Sequence, residues 1–199
     1  VGAHVVYGLV GYKTHCKVCL VVRQEVDGIR RYCHLATGNY NVRTSSVYSD
    51  FGLFTCRPTF GEDLTELFNL LTGYTRPQRF HHLALAPTGL REHFLDLIRN
   101  EAEQARVGKP ARIIAKMNSL IDESVVEELY AANRAGVQID LIVRGMCSLR
   151  PGLEGVSEHI RVISIVDRYL EHARVFYFQN GGAPTFWLAS ADWMPRNFK

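Results

Sequence analysis

The stretch Tyr12-Lys13-Thr14-His15-Cys16-Lys17-Val18-Cys19-Leu20-Val21-Val22 decides how the chain is read, because a histidine flanked by lysines runs straight into a strand-like apolar segment. Side chains alternate between the faces of an extended chain, so His15 and Lys17 are expected on one face and Val18, Leu20 and Val22 on the other. One face is then core and the other is available for chemistry. A neutral imidazole is a competent nucleophile near pH 7, and flanking ammonium groups would neutralise an anionic electrophile such as a phosphoryl group. Taken alone, a histidine beside two lysines is more often a solvated strand end. The weight comes from a second copy. Glu171-His172-Ala173-Arg174-Val175-Phe176-Tyr177-Phe178 again puts a cation two residues after a histidine at the head of an apolar strand.

Working outward from the first copy, residues 5–10 and 15–24 read as strands, and Asp27-Gly28 is a hairpin signal into a strand over 29–35. Ala36-Thr37-Gly38-Asn39-Tyr40-Asn41 is a small, Asn-rich loop whose backbone N–H groups could cradle phosphate oxygens, although an ordinary polar turn has the same composition. Asn41 is expected to cap a short helix running to about Tyr48. Residues 62–71 carry apolar side chains at helical spacing, with an acidic first turn and Gly73 as the stop. The polar stretch over 74–82 is the expected boundary between two domains, residues 1–82 and 83–199, with His81-His82 read as a solvated linker. Beyond it, Thr88 is expected to cap a helix that ends before Gly108. A strand over 111–117, a helix capped by Asp122 and a buried strand over 137–143 follow, implying a parallel pair. Functional groups in such sheets lie just past the strands' carboxyl ends, where Arg144 stands ready for bidentate phosphate binding. A strand over 160–165 precedes the second histidine copy, and 185–189 returns from it. The chain thus carries two diverged copies of one half-site.

A 199-residue chain that is 47% hydrophobic has ample material for packed cores, and a formal net charge of +3 does not announce a polyanion partner. Five cysteines without a regular framework point to a reducing compartment, and Cys16-x-x-Cys19 has no second pair to complete a zinc site. No apolar run reaches the ~20 residues of a membrane span. Because the sequence opens on Val1 within a strand-like run and stops abruptly at Lys199, it is expected to be part of a longer protein.

The two H-x-K/R strands, each followed by a returning strand and a small polar loop, resemble the phospholipase D superfamily, in which paired motifs build one shared site. That superfamily's motif is H-x-K-x-x-x-x-D, and here the Asp positions hold Val22 and Gln179, so both copies depart from the hydrolase pattern. A longer resemblance is to the bacterial polyphosphate kinase family of the phosphohistidine type. It is carried by Lys13-Thr14-His15-Cys16-Lys17, His34-Leu35-Ala36-Thr37-Gly38-Asn39-Tyr40-Asn41, Leu141-Ile142-Val143-Arg144-Gly145, Ser164-Ile165-Val166-Asp167-Arg168, Leu170-Glu171-His172-Ala173-Arg174 and Ser190-Ala191-Asp192-Trp193-Met194-Pro195-Arg196-Asn197, in the family's order.

The resemblance implies an α/β fold of two phospholipase D-like domains, mixed sheets flanked by helices, with the first domain truncated at its N-terminus. It implies that His15 is the phosphorylated nucleophile, and His172, from the second copy, is expected to act catalytically as general acid or base or to hold the phosphate opposite it. It implies nucleotide binding by Tyr48, Arg144 and His172; on charge grounds Lys13, Lys17, Arg174 and Arg196 are further expected to contact phosphate or polyphosphate. Mg2+ is the implied cofactor, with its ligands outside these 199 residues and no metal site within them. The implied partners are ATP, ADP and inorganic polyphosphate, without nucleic acid or a transmembrane segment. The full-length protein is expected to be a homo-oligomer in the cytoplasm, its attachment to the inner membrane left open, and the isolated stretch is expected to be inactive. The rival readings are a phosphodiesterase of the phospholipase D kind and a non-catalytic polyanion-binding module; the latter would call for a basic stripe with interleaved aromatics, which the sequence lacks.

Overall fold

In the computed structural model, which describes residues 2–73 and 80–199, His15 stands two residues ahead of the first paired strand. In chain order the elements are β1 (Lys17–Glu25), β2 (Gly28–Ala36), α1 (Val42–Ser45), β3 (Tyr48–Ser49), β4 (Gly52–Thr55) and α2 (Pro58–Leu71). Then come α3 (Leu90–Arg106), β5 (Arg112–Met117), α4 (Glu123–Arg134), β6 (Gln138–Val143), β7 (Ile160–Ile163), β8 (Leu170–Glu171), β9 (Arg174–Phe178), β10 (Thr185–Ala189) and α5 (Pro195–Phe198). The two histidine copies fall in different compact units. One comprises Val1–Ala36 and Gly52–Leu83, the other Thr37–Phe51 and Ala84–Lys199.

The first unit is an antiparallel sheet in the order β1-β2-β4, with α2 packed on it. The Asp27-Gly28 turn does form the hairpin, in a register that runs from Lys17 opposite Ala36 to Glu25 opposite Gly28. Residues 5–10 are not a strand: the run is largely exposed, and Gly8 and Gly11 take left-handed φ values of 95° and 84° that break an extended chain. The helix expected from Glu62 begins four residues earlier, because Pro58 fixes φ at its first position; Glu62 and Asp63 therefore fall outside the first turn. Val18 and Leu20 are half-buried as expected, but Val22 is exposed and Lys17 is buried, so the division into a core face and an open face holds only at the start of β1. The proposed boundary falls largely on residues 74–79, outside the described residues. His81 and His82 are exposed, as expected of a solvated linker, but they are anchored. Their backbone N–H groups, with that of Leu83, donate to the buried carboxylate of Asp63 at 2.8, 2.7 and 3.0 Å, and the His82 ring stacks on Phe60.

The second unit contains the mixed sheet, in the order β10-β9-β5-β6-β7. The expected strand-helix-strand unit is present: β5 and β6 are parallel and joined through α4, whose N-cap Asp122 accepts from Val125 N. The helix before it is capped differently from expectation, by Gly89 rather than Thr88, with no side-chain bond. Phe94, Leu95 and Ile98 of α3 and Val125 and Leu129 of α4 bury against alternate residues of β5, β6 and β9. Burying each such side chain contributes about 1.5–3 kcal/mol. Within this core Phe94, Phe176 and Trp193 form an aromatic cluster with centroid separations of 4.7, 4.9 and 5.4 Å, which pins the segment just after β10. The mixed sheet flanked by helices agrees with the α/β fold class read from the sequence.

Glu101 of α3 is fully buried and ties the ends of two strands together, accepting from Arg112 N at 3.0 Å and from Asn180 N at 2.5 Å. Burial pushes its carboxyl above the ordinary value, against the two N–H bonds that favour the charged form. Replacing Glu101→Ala would leave both N–H donors buried without a partner. A loss of about 2–4 kcal/mol of unfolding free energy is expected, and urea titration monitored by tryptophan fluorescence would measure it.

Candidate active-site residues

His15 is exposed and Lys17 is 9% exposed, the reverse of what their charges alone would dictate. The Lys17 ammonium is folded back: it donates to the His15 carbonyl at 2.7 Å and lies 3.1 and 3.0 Å from the two ring nitrogens. Positions i and i+2 share a face at the entry to a strand, so a long cationic side chain at i+2 can return to the residue at i. A positive charge is thereby fixed against an accessible imidazole, where it would neutralise an anion bound to the ring. Lys13 is exposed on the segment leading in.

His172 shows the same local arrangement, sealed in. The Arg174 Nη1 group donates to the His172 carbonyl at 3.0 Å and to His172 Nε2 at 3.1 Å. The two copies even share a register: Lys17 opens β1 opposite Ala36, and Arg174 opens β9 opposite Ala189. The repeat read from the sequence is therefore a repeat in backbone pairing as well as in residue type. On its other side His172 donates Nδ1–H to Asp50 Oδ1 at 2.7 Å, and the Tyr48 ring lies 4.7 Å from the imidazole. This network places the single proton of a neutral ring on Nδ1. The imidazole's pKa lies below its ordinary value, chiefly because of burial; the Asp50 hydrogen bond opposes the shift and the Arg174 charge adds to it.

Asp50 reaches His172 because residues 37–51 form a closed loop within the second unit. Thr37 and Phe51 exchange bonds at its neck, Thr37 N donating to Phe51 O at 2.9 Å and Phe51 N to Thr37 Oγ1 at 3.0 Å. The Thr37 hydroxyl also donates to Asp50 Oδ1 at 3.0 Å. Asn41 caps α1 by accepting from Arg43 N and Thr44 N, as read from the sequence, though that helix ends at Ser45. Strand β3 then pairs in parallel with β8, which sets Tyr48 and Asp50 beside His172. A Cβ on Gly38 would overlap the Asp50 carboxylate, so only glycine fits there.

Arg174 is 6% exposed and is answered by Asp192, which accepts from Nε and Nη2 at 3.1 Å each. Burial pushes the Asp192 carboxyl up, but the Arg174 guanidinium and the two Asn118 N–H donors outweigh it and hold the group below its ordinary value. Asn118 in turn accepts from Arg144 Nε on Oδ1 at 2.5 Å. Arg144 lines a concavity of about 300 Å³ together with Val47 and residues 165–171. The strand expected over 160–165 stops at Ile163, which frees the following residues to form that wall. Lys116 of β5 donates to Ala173 O at 3.1 Å and pairs with Glu171 at 3.1 Å. Arg196 is exposed on α5.

Of the residues singled out from sequence, Tyr48, Arg144, His172 and Arg174 thus belong to one connected network in the second unit. His15 and Lys17 form a pair in the first, and Lys13 and Arg196 are exposed on the segment before β1 and on α5. Sequence reasoning missed Asp50, Asn118, Lys116 and Asp192; the signal available for two of them was an acid at the end of the small-polar stretches Tyr48-Ser49-Asp50 and Ser190-Ala191-Asp192. All five cysteines are free thiols. Among the described residues no three His, Cys, Asp or Glu side chains meet where a metal ion could be held, and no helix is long and apolar enough to cross a membrane.

A family model described as Polyphosphate kinase C-terminal domain 1 matches residues 1–77, and one described as Polyphosphate kinase C-terminal domain 2 matches residues 83–199. A polyphosphate kinase of Synechocystis sp. is 59% identical over 196 residues, which is 98% of this chain and 27% of that protein. One from Neisseria meningitidis serogroup B is 56% identical, covering 99% of this chain and 29% of its own length. The crystal structure of polyphosphate kinase from Porphyromonas gingivalis superposes with a TM-score of 0.87 at 40% identity, over 95% of this chain and 31% of that one. The chain therefore spans under a third of the length of these relatives. Matched along nearly its whole length in this way, it belongs to the polyphosphate kinase family.

Proposed function

We propose that the protein containing this chain is a polyphosphate kinase, moving the γ-phosphoryl group of ATP reversibly onto inorganic polyphosphate through a phosphohistidine. The observation that carries the reading is the histidine–cation pair, built twice with the same strand register and differing in exposure. A phosphoryl acceptor must be reachable by its electrophile, and His15 is exposed. In the forward step a His15 ring nitrogen forms a bond to the γ-phosphorus while the bond to the β–γ bridging oxygen breaks, and ADP leaves. A terminal oxygen of polyphosphate then attacks that phosphorus and the N–P bond breaks. Phosphoryl transfer proceeds through a loose transition state, so positive charge and in-line placement matter most. Lys17, fixed against the His15 ring, supplies charge at the phosphorylated nitrogen, with Lys13 as a second cation on the same segment.

Tyr48, Arg144 and His172 are proposed to bind the nucleotide. The donation to Asn118 uses only Nε of Arg144, and a guanidinium can still offer its Nη groups pairwise to phosphate oxygens. His172 is held as a neutral ring whose orientation is set by Asp50 and Arg174, which suits a phosphate contact or proton transfer. Arg174 acts on His172 rather than along a chain path, since its donors are taken by His172 and Asp192. Arg196 is proposed as a polyphosphate contact. Mg2+, bound by residues outside this stretch, would neutralise phosphate charge. The same family reading carries domains 1–82 and 83–199 with phospholipase D-like architecture, a cytoplasmic homo-oligomer that does not act on nucleic acid, and inactivity of the 199 residues alone, which cover 27% of the Synechocystis relative.

Two outcomes test this. The full-length protein incubated with γ-labelled ATP should form an acid-labile, base-stable phosphoenzyme, and His15→Ala should abolish it. Labelling that persists in the variant, or diester hydrolysis by a protein that ATP never labels, would overturn the reading.

The second concerns pH. The unfolded imidazole titrates near the ordinary 6.5 and the folded one lower, so both stability of the second unit and activity should fall as pH drops from about that value through the folded pKa. Protonation would put a hydrogen on Nε2, facing Arg174. Since Asp50 is the group favouring the protonated ring, Asp50→Asn should move the acid limb of the activity profile to lower pH. A limb that stays put or rises would contradict the proposed neutral role.

A further inference from the structure

We propose that Asp192, which no sequence motif assigned a role, is a positioning residue that sets Arg144 and His172 together for nucleotide binding; this rests on the nucleotide-binding reading above. One carboxylate serves two arms. In the first arm, Asp192 accepts from Arg174 Nε and Nη2 at 3.1 Å each, leaving Nη1 of the same rigid guanidinium to donate to His172 Nε2 and to the His172 carbonyl. A planar guanidinium cannot turn one edge without turning the other, so fixing two nitrogens on Asp192 fixes the third against the imidazole. In the second arm, Asp192 Oδ1 accepts from Asn118 N at 2.8 Å and Oδ2 from Asn118 Nδ2 at 3.4 Å. That orients the Asn118 amide so that its oxygen accepts from Arg144 Nε.

The surroundings make this carboxylate hard to displace. Asp192 is 6% exposed and Asn118 7%, so neither can exchange its partners for water. The neighbouring Trp193 is wholly buried, and its carbonyl accepts from Ile121 N and Asp122 N at 2.9 and 3.0 Å. The loop carrying Arg144 is tied to the same place, with Gly145 N donating to Asn118 O at 2.7 Å and Leu120 N to Met146 O at 2.8 Å. Three separate chain segments, 118–122, 144–148 and 192–193, are thus stitched around one buried anion. Removing its charge would leave Arg174 buried without a counter-ion and release the Asn118 amide, and both arms would slacken at once.

The test uses the full-length protein. ATP affinity is measured by calorimetry and steady-state kinetics of polyphosphate synthesis are recorded for the parent, Asp192→Asn, Asn118→Ala and the double variant, each checked for a cooperative thermal melt. Asp192→Asn is expected to weaken ATP binding on the order of 10- to 100-fold, the scale of loss that misplacement from a distance produces. KM for ATP should rise while KM for polyphosphate is unchanged. Asn118→Ala should show a smaller loss, and the double variant less than the product of the two single effects, because one arm passes through both residues. Folded Asp192→Asn protein with parental ATP affinity would overturn the proposal, as would equal rises in both KM values or strictly multiplicative effects. If Asp192→Asn gives no cooperative melt, Asn118→Ala decides alone: unchanged ATP affinity overturns the proposal. A parent that binds ATP but makes no polyphosphate would sink the kinase reading while leaving the affinity test of Asp192 standing.

Discussion

A guanidinium sealed inside a protein is tolerated only when every direction it presents finds an acceptor, because an unpaired buried charge costs several kcal/mol. Arg174 is such a group, and its needs dictate the geometry around it. It requires a carboxylate, which Asp192 supplies from the segment just after β10. It requires an acceptor at Nη1, which the carbonyl and Nε2 of His172 supply. The imidazole must then keep Nε2 unprotonated and offer its hydrogen at Nδ1, which calls for a second carboxylate, Asp50. Along the chain anion–cation–neutral imidazole–anion, Arg174 donates in both directions, and the ring accepts at Nε2 and donates at Nδ1.

The first copy of the pattern meets a weaker form of the same constraint. Lys17 has a single nitrogen, which reaches the His15 carbonyl and the ring, where Arg174 offers a planar fork. The two copies of the sequence pattern thus differ in burial and in the residue at i+2. With lysine at i+2, the histidine stays exposed with a cation beside it. With arginine, the histidine is oriented on both nitrogens and buried. An accessible ring suits bond formation to phosphorus, and a fixed ring suits holding a phosphate oxygen or a proton in place.

What the sequence made legible follows from how far each determinant reaches. The β5-α4-β6 unit is set by local periodicity, by the Asp122 cap and by the stop at Gly136, and it formed within a residue of expectation. Residues 5–10 are as apolar as a strand, but apolar content does not supply a pairing partner, and left-handed glycines interrupt them at Gly8 and follow at Gly11. The same distinction separates the site residues. His15, Lys17, His172 and Arg174 carry their geometry in an i, i+2 spacing and could be found by eye. Asp50 and His172 are 122 positions apart, and Asp192 and Asn118 are 74 apart, so no spacing rule joins them.

That distance also disposes of an argument drawn from the hydrolase motif. An acid seven positions beyond a histidine on one extended chain would lie about 23 Å away at ~3.3 Å per residue, and on the opposite face because seven is odd. It could never orient the histidine of its own strand. Finding Val22 and Gln179 at those positions therefore says nothing about whether His172 has a carboxylate partner, and it does have one. An orienting acid must arrive on a different segment, and here the segment is the loop closed by Thr37 and Phe51, whose tight neck requires Gly38. The residue that sets the histidine's tautomer is accordingly encoded where the chain turns back to β3, and the missing motif acid carries no weight against phosphoryl chemistry at this imidazole.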